Sequence, residues 1–430
     1  MRGAVIWRAL YALLLWISLP WVLVRLWLRG RREPLYRSAI GERFGFYGRI
    51  GPRVRPLIWV HAVSLGETRA AQPLLERLMR DHPDCDFLVT QMTSTGRGAA
   101  EELFAGRAQV VWLPYDYGFA VRRFLKAYRP TLGILMETEV WFNLVRSCRA
   151  FGIPLLLVNA RLSERSLRGY RLVGQLARDA FGSFSAIAAQ TSSDANRLCD
   201  VGARSVEVTG NMKYDMHAAA ALDERSRQFR QAYGHRRVFL AASTRDGEEA
   251  LILDALHAHP LPGVLSVIVP RHPQRFSEVD ELMRSRGLRF VRRSAGNDTP
   301  ADCDYILGDS IGEMPAYYGA ADVAFVGGSL LPYGGQNLIE ACAAGVPVLL
   351  GPSTYNFSEA ADIALSEGAA LRVKDADALV LNAGVLCADD SRAKSMGQAG
   401  KAFCARHRGA TDKVCAIVER LLKSGPDTRA

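Results

Sequence analysis

LIWVHAVSLGETRAAQPLLERLMRDHPDCDFLVT, residues 57–90, reads as one complete βαβ unit. An apolar run, Leu57–His61, gives way to a short loop. An amphipathic stretch then opens near Thr68, and a second apolar run follows over Asp86–Thr90. Strands that are apolar throughout must be covered on both faces, and a helix between two of them makes the pair parallel. This unit therefore predicts a doubly wound α/β sheet, with its ligand at the carboxyl ends of the strands.

The same rhythm continues on both sides. Further strands of the first half are predicted at Val110–Leu113, Leu132–Met136, Leu155–Asn159, Ala186–Gln190 and Ser205–Thr209. A polar helical stretch, Asp215–His235, looks like a connector. A second series follows at Val238–Ala242, Leu265–Val269, Tyr305–Leu307, Val323–Val326 and Val346–Leu350, and Ser391–Lys423 reads as wholly helical. Two Rossmann-like halves joined near 210–235 are expected, with two ligands facing across one cleft.

The chain has 430 residues, is 49% hydrophobic and 23% charged, and carries a net charge of +10. Those values are globular. Residues 1–55 hold eleven Arg and two Glu, so the remainder is nearly neutral. A neutral body argues against a general nucleic-acid binder. Eight Cys are scattered with no CxxC and no zinc spacing, as in a reducing compartment.

Residues 9–24, ALYALLLWISLPWVLV, carry no charge. With flanks from Ala4 to Leu28 the stretch is interrupted only by Arg8 and Arg25, and four Trp suit an interfacial belt. The basic run RLWLRGRREPLYR follows, of a kind that stays on the cytoplasmic side. A signal peptide would need a small-residue cleavage site, and none is present. The stretch is read as an uncleaved anchor, spanning or lying in the interface, and is expected to stand outside the catalytic fold.

Several nucleotide and nucleophile signatures are missing: no G-x-G-x-x-G follows a strand, no P-loop occurs, and no G-x-S-x-G elbow is present. What remains are polar loops at strand ends. In HAVSLGET, Glu67 stands at a helix start, where backbone N–H groups favour its charged form; a general base and a plain capping acid fit equally. In METEVW, Glu137 and Glu139 lie just past a buried strand, and alternation would turn both to one side. They serve a ligand or pair with Arg. In TGNMKYD, Lys213 could meet an acidic substrate or stand in solvent. In the second half AASTRDGEE, VPRHPQRF, GDSIGEMPAYYGAADVAFVGGS and GGQNLIEACAAGVPVLLGP each begin where a strand ends. Asn337 can cap, Glu340 can accept from ribose hydroxyls, and Arg271 can donate to a phosphate. Together they point to a nucleotide site. Asp302-Cys303-Asp304 is read as a turn, and no metal site is expected.

VSLGET, METEVW, NARLSERS, TGNMKYD, VPRHPQRF, IGEMPAYY and GGQNLIEACAAGVPVLLGP together resemble the lipid A Kdo transferases (3-deoxy-D-manno-octulosonic-acid transferases). The resemblance covers nearly the whole chain. It implies a glycosyltransferase B fold: two Rossmann-like domains facing a central cleft, an N-terminal membrane-anchor helix, and a last helix crossing back to the first domain. It implies an anchor at 1–29, an acceptor-binding domain at 30–215, a nucleotide-sugar domain at 216–395 and a returning helix at 396–430. The implied reaction is an inverting transfer of Kdo from CMP-Kdo to a lipid A precursor (lipid IVA). It would take place at the cytoplasmic side of the inner membrane, with no cofactor and no nucleic-acid partner. By resemblance Glu67 is the general base, and Glu137 and Lys213 stabilise the transition state. Arg271, His272, Gly312, Glu313, Met314, Asn337, Leu338, Ile339 and Glu340 contact CMP. Phe142 departs from the family pattern, where Pro is expected, and implies a local packing change. The alternative reading is another membrane-associated enzyme of the same fold that uses a UDP-sugar.

Overall fold

The computed structural model describes residues 2–215, 220–296, 299–300 and 302–424. The chain forms two compact units. The first takes the chain up to residue 216 and again from Arg408, and the second lies between.

The first unit is built on seven parallel strands: β1 (Leu57–His61), β2 (Asp86–Gln91), β3 (Gln109–Trp112), β4 (Leu132–Met136), β5 (Leu155–Ala160), β6 (Ala186–Ala189) and β7 (Val206–Val208). Their order is β3-β2-β1-β4-β5-β6-β7, so the direction of winding reverses between β1 and β4. Alternation along β1 sends Leu57 and Trp59 into one core layer and Ile58 and Val60 into the other, which is why the strand is apolar throughout. Gly133 on β4 makes room for this packing, since a Cβ there would meet the Trp59 ring at 2.9 Å and Leu155 at 2.5 Å.

The second unit repeats the plan: β8 (Arg237–Thr244), β9 (Val264–Pro270), β10 (Phe290–Arg292), β11 (Tyr305–Leu307), β12 (Val323–Val326), β13 (Val348–Leu350) and β14 (Ala370–Arg372), all parallel. The order is β10-β11-β9-β8-β12-β13-β14, and the reversal falls between β8 and β12. Each half is thus Rossmann-like. Strands β10 and β14 escape the sequence reading: each is a three-residue edge that ends in Arg. Each is only partly apolar and only partly buried.

The C-terminal stretch is two helices, Asp390–Arg406 and Ala410–Ser424, separated at Gly409, whose φ is +97°. The passage between units falls at this break, later than the domain boundary read from the sequence. The last helix sends Val414, Ile417 and Val418 into the core around Leu74 and Leu78 of the first unit. Its start is fixed by Asp215, whose carboxylate accepts from Gly409 N at 2.7 Å and Thr411 N at 2.6 Å.

The N-terminal helix, Arg2–Arg32, does not stand apart from the fold as the sequence suggested. Arg8 pairs with Asp179 at 2.6 Å, Tyr11 Oη donates to Asp116 at 2.8 Å, and the Trp16 ring lies 5.4 Å from that of Tyr117. Phe142, at the first position of the helix Phe142–Ala150, meets Tyr11 edge-on at 5.1 Å. Proline is tolerated at a first helical position; here an aromatic ring stands there and receives the N-terminal helix.

Candidate active site

Glu67 lies beyond the end of β1, in the first turn of the helix Leu65–Asp81. Ser64 caps that helix. Its Oγ accepts from Glu67 N at 3.4 Å and donates to Glu67 Oε1 at 3.1 Å, while Val63 N donates to Oε2 at 2.8 Å. This reciprocal arrangement follows from the S-x-x-E spacing and holds the carboxylate at the reversal point of the sheet.

Its ionisation departs from the sequence expectation. Burial, reinforced by Glu137 and Glu139, pushes the Glu67 carboxyl up to about 7, and the hydrogen bonds from Val63 and Ser64 only partly oppose this. The helix start therefore orients the group without keeping it a strong acid.

Glu137 follows β4 directly. Its φ is +56°, so the alternation assumed for Glu137 and Glu139 stops at Met136. A left-handed conformation at a non-glycine residue is strained and is common at functional sites. Here it serves a buried ion pair, with Lys213 Nζ 2.9 Å from Glu137 Oε1 and Arg161 Nε 3.7 Å from Oε2. Burial alone would raise this carboxyl. The two cations outweigh it and hold Glu137 below the ordinary carboxylate range. Glu139 has no such cation: burial raises it, Glu137 adds to the rise, and a hydrogen bond from Trp141 Nε1 at 2.8 Å opposes it.

Lys213 reaches Glu137 because Asn159, at the end of β5, pins its loop. Asn159 is buried with φ +52°, and its Oδ1 accepts from Met212 N at 3.0 Å. Sequence reasoning singled out neither Asn159 nor Arg161 as a site residue, although both sit in NARLSERS at a strand end. That position was the available signal. Glu67, Glu137, Glu139, Arg161 and Lys213 thus surround the carboxyl ends of β1 and β4.

In the second unit the reversal point is already filled. Glu248 is fully buried, and its carboxylate accepts from Arg245 N at 2.8 Å, Gly328 N at 2.6 Å and Leu330 N at 3.0 Å. The Gly327–Gly328 turn therefore offers its amide to an internal carboxylate and not to an incoming phosphate. The approach is close: a Cβ on Gly327 would lie 2.5 Å from Ser243 O.

The donor groups that face outward sit beside this point. Arg271 and His272, past β9, are exposed. Arg271 Nε donates to Gln336 Oε1 at 3.1 Å, which joins the β9 loop to the GGQN turn. Burial, then the neighbouring Arg245, Arg271 and Arg275, lower the His272 pKa. Asn337 Nδ2 donates to Glu340 Oε1 at 3.0 Å, and Ile339 N donates to Asn337 Oδ1 at 3.1 Å. Leu338 and Ile339 point into the core, so only their backbone can meet a ligand. Gly312 is left-handed at φ +87° and Met314 opens the helix Met314–Ala320. Glu313 is buried and paired with Arg225 at 3.0 Å and Arg293 at 3.1 Å, which commits its Oε1 to the fold.

Among the described residues one trio, His82, Asp84 and Cys85, brings potential metal-ligand atoms within 4.8 Å of one another. It lies in the turn before β2, at the end of the sheet opposite Glu67.

Residues 38–216 match the family described as 3-deoxy-D-manno-octulosonic-acid transferase (kdotransferase). The 3-deoxy-D-manno-octulosonic acid transferase of Bordetella pertussis is 44% identical over 96% of this chain and 99% of that one. The enzyme of the same name from Haemophilus influenzae is 34% identical over 97% and 99%. A glycosyltransferase structure from Rickettsia africae superposes with a TM-score of 0.59 at 12% identity, covering 87% of this chain and all (100%) of that one. At that identity the likeness concerns the fold, which is glycosyltransferase B. With both seven-stranded halves and the carboxylates in hand, the chain belongs to the 3-deoxy-D-manno-octulosonic acid (Kdo) transferases and is a glycosyltransferase.

Proposed function

We propose that this chain transfers Kdo from CMP-Kdo to a lipid A precursor, lipid IVA, with inversion at the anomeric carbon, and that Glu67 is the general base. The observation that carries this reading is the Glu67 carboxylate. It is partly exposed at the reversal point of its sheet, fixed by Val63 and Ser64, and titrates at about 7. A sugar hydroxyl is too weak an acid to attack unaided at neutral pH. A base is most effective when its pKa lies near the working pH.

In this reading Glu67 takes the acceptor proton as the oxygen attacks the anomeric carbon, and the bond to CMP breaks on the opposite face. Glu137 holds the Lys213 ammonium in place, and that ammonium would meet the carboxylate of the acidic sugar. Arg271 and His272 would meet the phosphate of the donor as it gathers charge, and preorganised donors of this kind lower the barrier. Backbone groups of Gly312, Met314, Leu338 and Ile339 and the side chains of Asn337 and Glu340 would hold the nucleoside. The first unit then receives the acceptor and the second the donor. The N-terminal helix keeps the enzyme at the cytoplasmic face of the inner membrane, where the acceptor is found.

Glu67→Gln keeps the shape and removes the base. Transfer to lipid IVA should collapse while CMP affinity, measured by titration, stays at the wild-type value. Turnover near wild type would sink the assignment.

A further inference from the structure

The helix segment Trp7–Arg31 is long and apolar enough to cross a bilayer, yet its first half is held against the first unit and its end against the turn that follows it. Arg8, Tyr11 and Trp16 make the contacts given above. Tyr117 Oη donates to Leu15 O at 2.8 Å. Leu26 is buried, and Gly30 is covered by Arg37 of the turn Pro34–Arg37. From Arg8 to Gly30 is about 33 Å at about 1.5 Å per residue. That is the whole thickness of a hydrocarbon core, about 30 Å.

The opposite face is an apolar stripe. Leu10, Leu13, Leu14, Ile17, Trp21, Val24 and Leu28 are all exposed. They share one side of the helix, and the exposed Trp7, Trp16, Leu23 and Trp27 widen that apolar face. At the C-terminal end Arg25 lies over Trp21 at 5.1 Å and Arg31 over Trp27 at 5.0 Å, a basic and aromatic rim suited to an anionic surface.

Beneath the helix lies a cavity of about 450 Å³, lined by Arg8, Arg146 and Arg149 with Tyr11, Asn143 and the carboxylate of Asp179, which pairs with Arg8. If the docked helix spanned a membrane, the part of the first unit that packs on Tyr11, Leu15 and Trp16 would lie at hydrocarbon depth, and burying the Asp116 carboxylate there costs several kcal/mol. At head-group depth the cavity's arginines would instead find phosphates.

Resting on the membrane reading above, we infer that the helix is an in-plane anchor that does not cross the bilayer. The arginine cavity under it receives the phosphate of a lipid head group.

The full chain, with an epitope tag at its N-terminus, is first tested for binding to phosphatidylcholine vesicles with and without phosphatidylglycerol. Failure to bind either overturns the membrane reading itself. It is then reconstituted into sealed vesicles and protease is added outside. An in-plane helix leaves tag and catalytic units on one side, so each molecule loses both or neither. A tag that survives while the units are digested overturns the in-plane helix.

For the cavity, Arg146→Gln with Arg149→Gln is compared with a charge-matched control, Arg80→Gln with Arg107→Gln, both exposed elsewhere on the same unit. The cavity variant should bind phosphatidylglycerol vesicles roughly ten- to thirty-fold more weakly than the control. Equal affinities overturn the head-group site. So does inorganic phosphate that binds the wild type but not the cavity variant, with no difference between them on vesicles.

Discussion

Gly66-Glu67 and Gly247-Glu248 occupy equivalent places in the two units. Each Glu lies in the first turn of the helix that follows its unit's strand at the reversal point, and each is raised in pKa chiefly by burial. The similarity ends with their surroundings. Glu67 is partly exposed and takes one backbone amide at its carboxylate, with two further carboxylates nearby. Glu248 is sealed in and binds the amides of three loop residues. One position in the fold thus yields a solvent-reachable carboxylate in one unit and a structural pin in the other. The number of amides and the access to solvent decide which.

The sharpest break of this comparison is in turnover. Glu67→Gln should lower the transfer rate by about 10²–10⁴, the span of general-base catalysis. Its unfolding midpoint in denaturant should not fall, because Gln still accepts from Val63 and carries no buried charge. Glu248→Ala should do the reverse to the fold. It leaves one buried and two part-buried amides without a partner, and a buried orphaned group costs about 1–3 kcal/mol. A loss of about 1–3 kcal/mol in the unfolding transition of the second unit is expected. Circular dichroism against urea would show it, and an unchanged transition would mean the pin is dispensable.

Arg271 and Gln336 test the outward half of the second site. Arg271→Ala should weaken CMP binding by roughly 10–150-fold, the worth of about 1.5–3 kcal/mol for a hydrogen bond to a charged group. The internal pin is untouched by this change, so stability should stay near wild type. Calorimetric titration reads the affinity; an unaltered value moves the phosphate away from Arg271.

Much of this was legible in the sequence because burial writes itself into apolar runs. Twelve of the fourteen strands are such runs, and the missed β10 and β14 are short edges. Glu67, Glu137 and Lys213 were legible as polar residues at strand ends. Their mutual arrangement was not. Lys213 meets Glu137 only through a left-handed Glu137 and a loop held by Asn159, and neither leaves a periodic trace. The reach of the N-terminal helix was hidden for a related reason. Its composition is that of a membrane segment, and partners such as Asp116, Tyr117, Phe142 and Asp179, over a hundred residues away, draw it onto the fold.

The smallest expected effect lies in the pH profile, and it tests whether neighbouring carboxylates tune Glu67. The folded carboxyl at about 7 stands above its ordinary 4.5. The folded state therefore binds the proton more tightly than the unfolded one, and stability should fall as pH rises from about 4.5 to about 7. Glu67→Gln should flatten that slope. For catalysis the base must be ionised, so kcat/KM should rise with pH through an acid limb near 7. Glu137→Gln removes one negative neighbour and leaves Lys213 and Arg161 beside an uncharged amide. Both changes favour ionised Glu67, so the acid limb should move to lower pH, by about one unit or less. Turnover falls as well through loss of the ion pair, and the position of the limb, not its height, is the readout. A limb that stays put in Glu137→Gln would show that Glu137 does not tune Glu67 and would leave burial and Glu139 as the causes of its raised pKa.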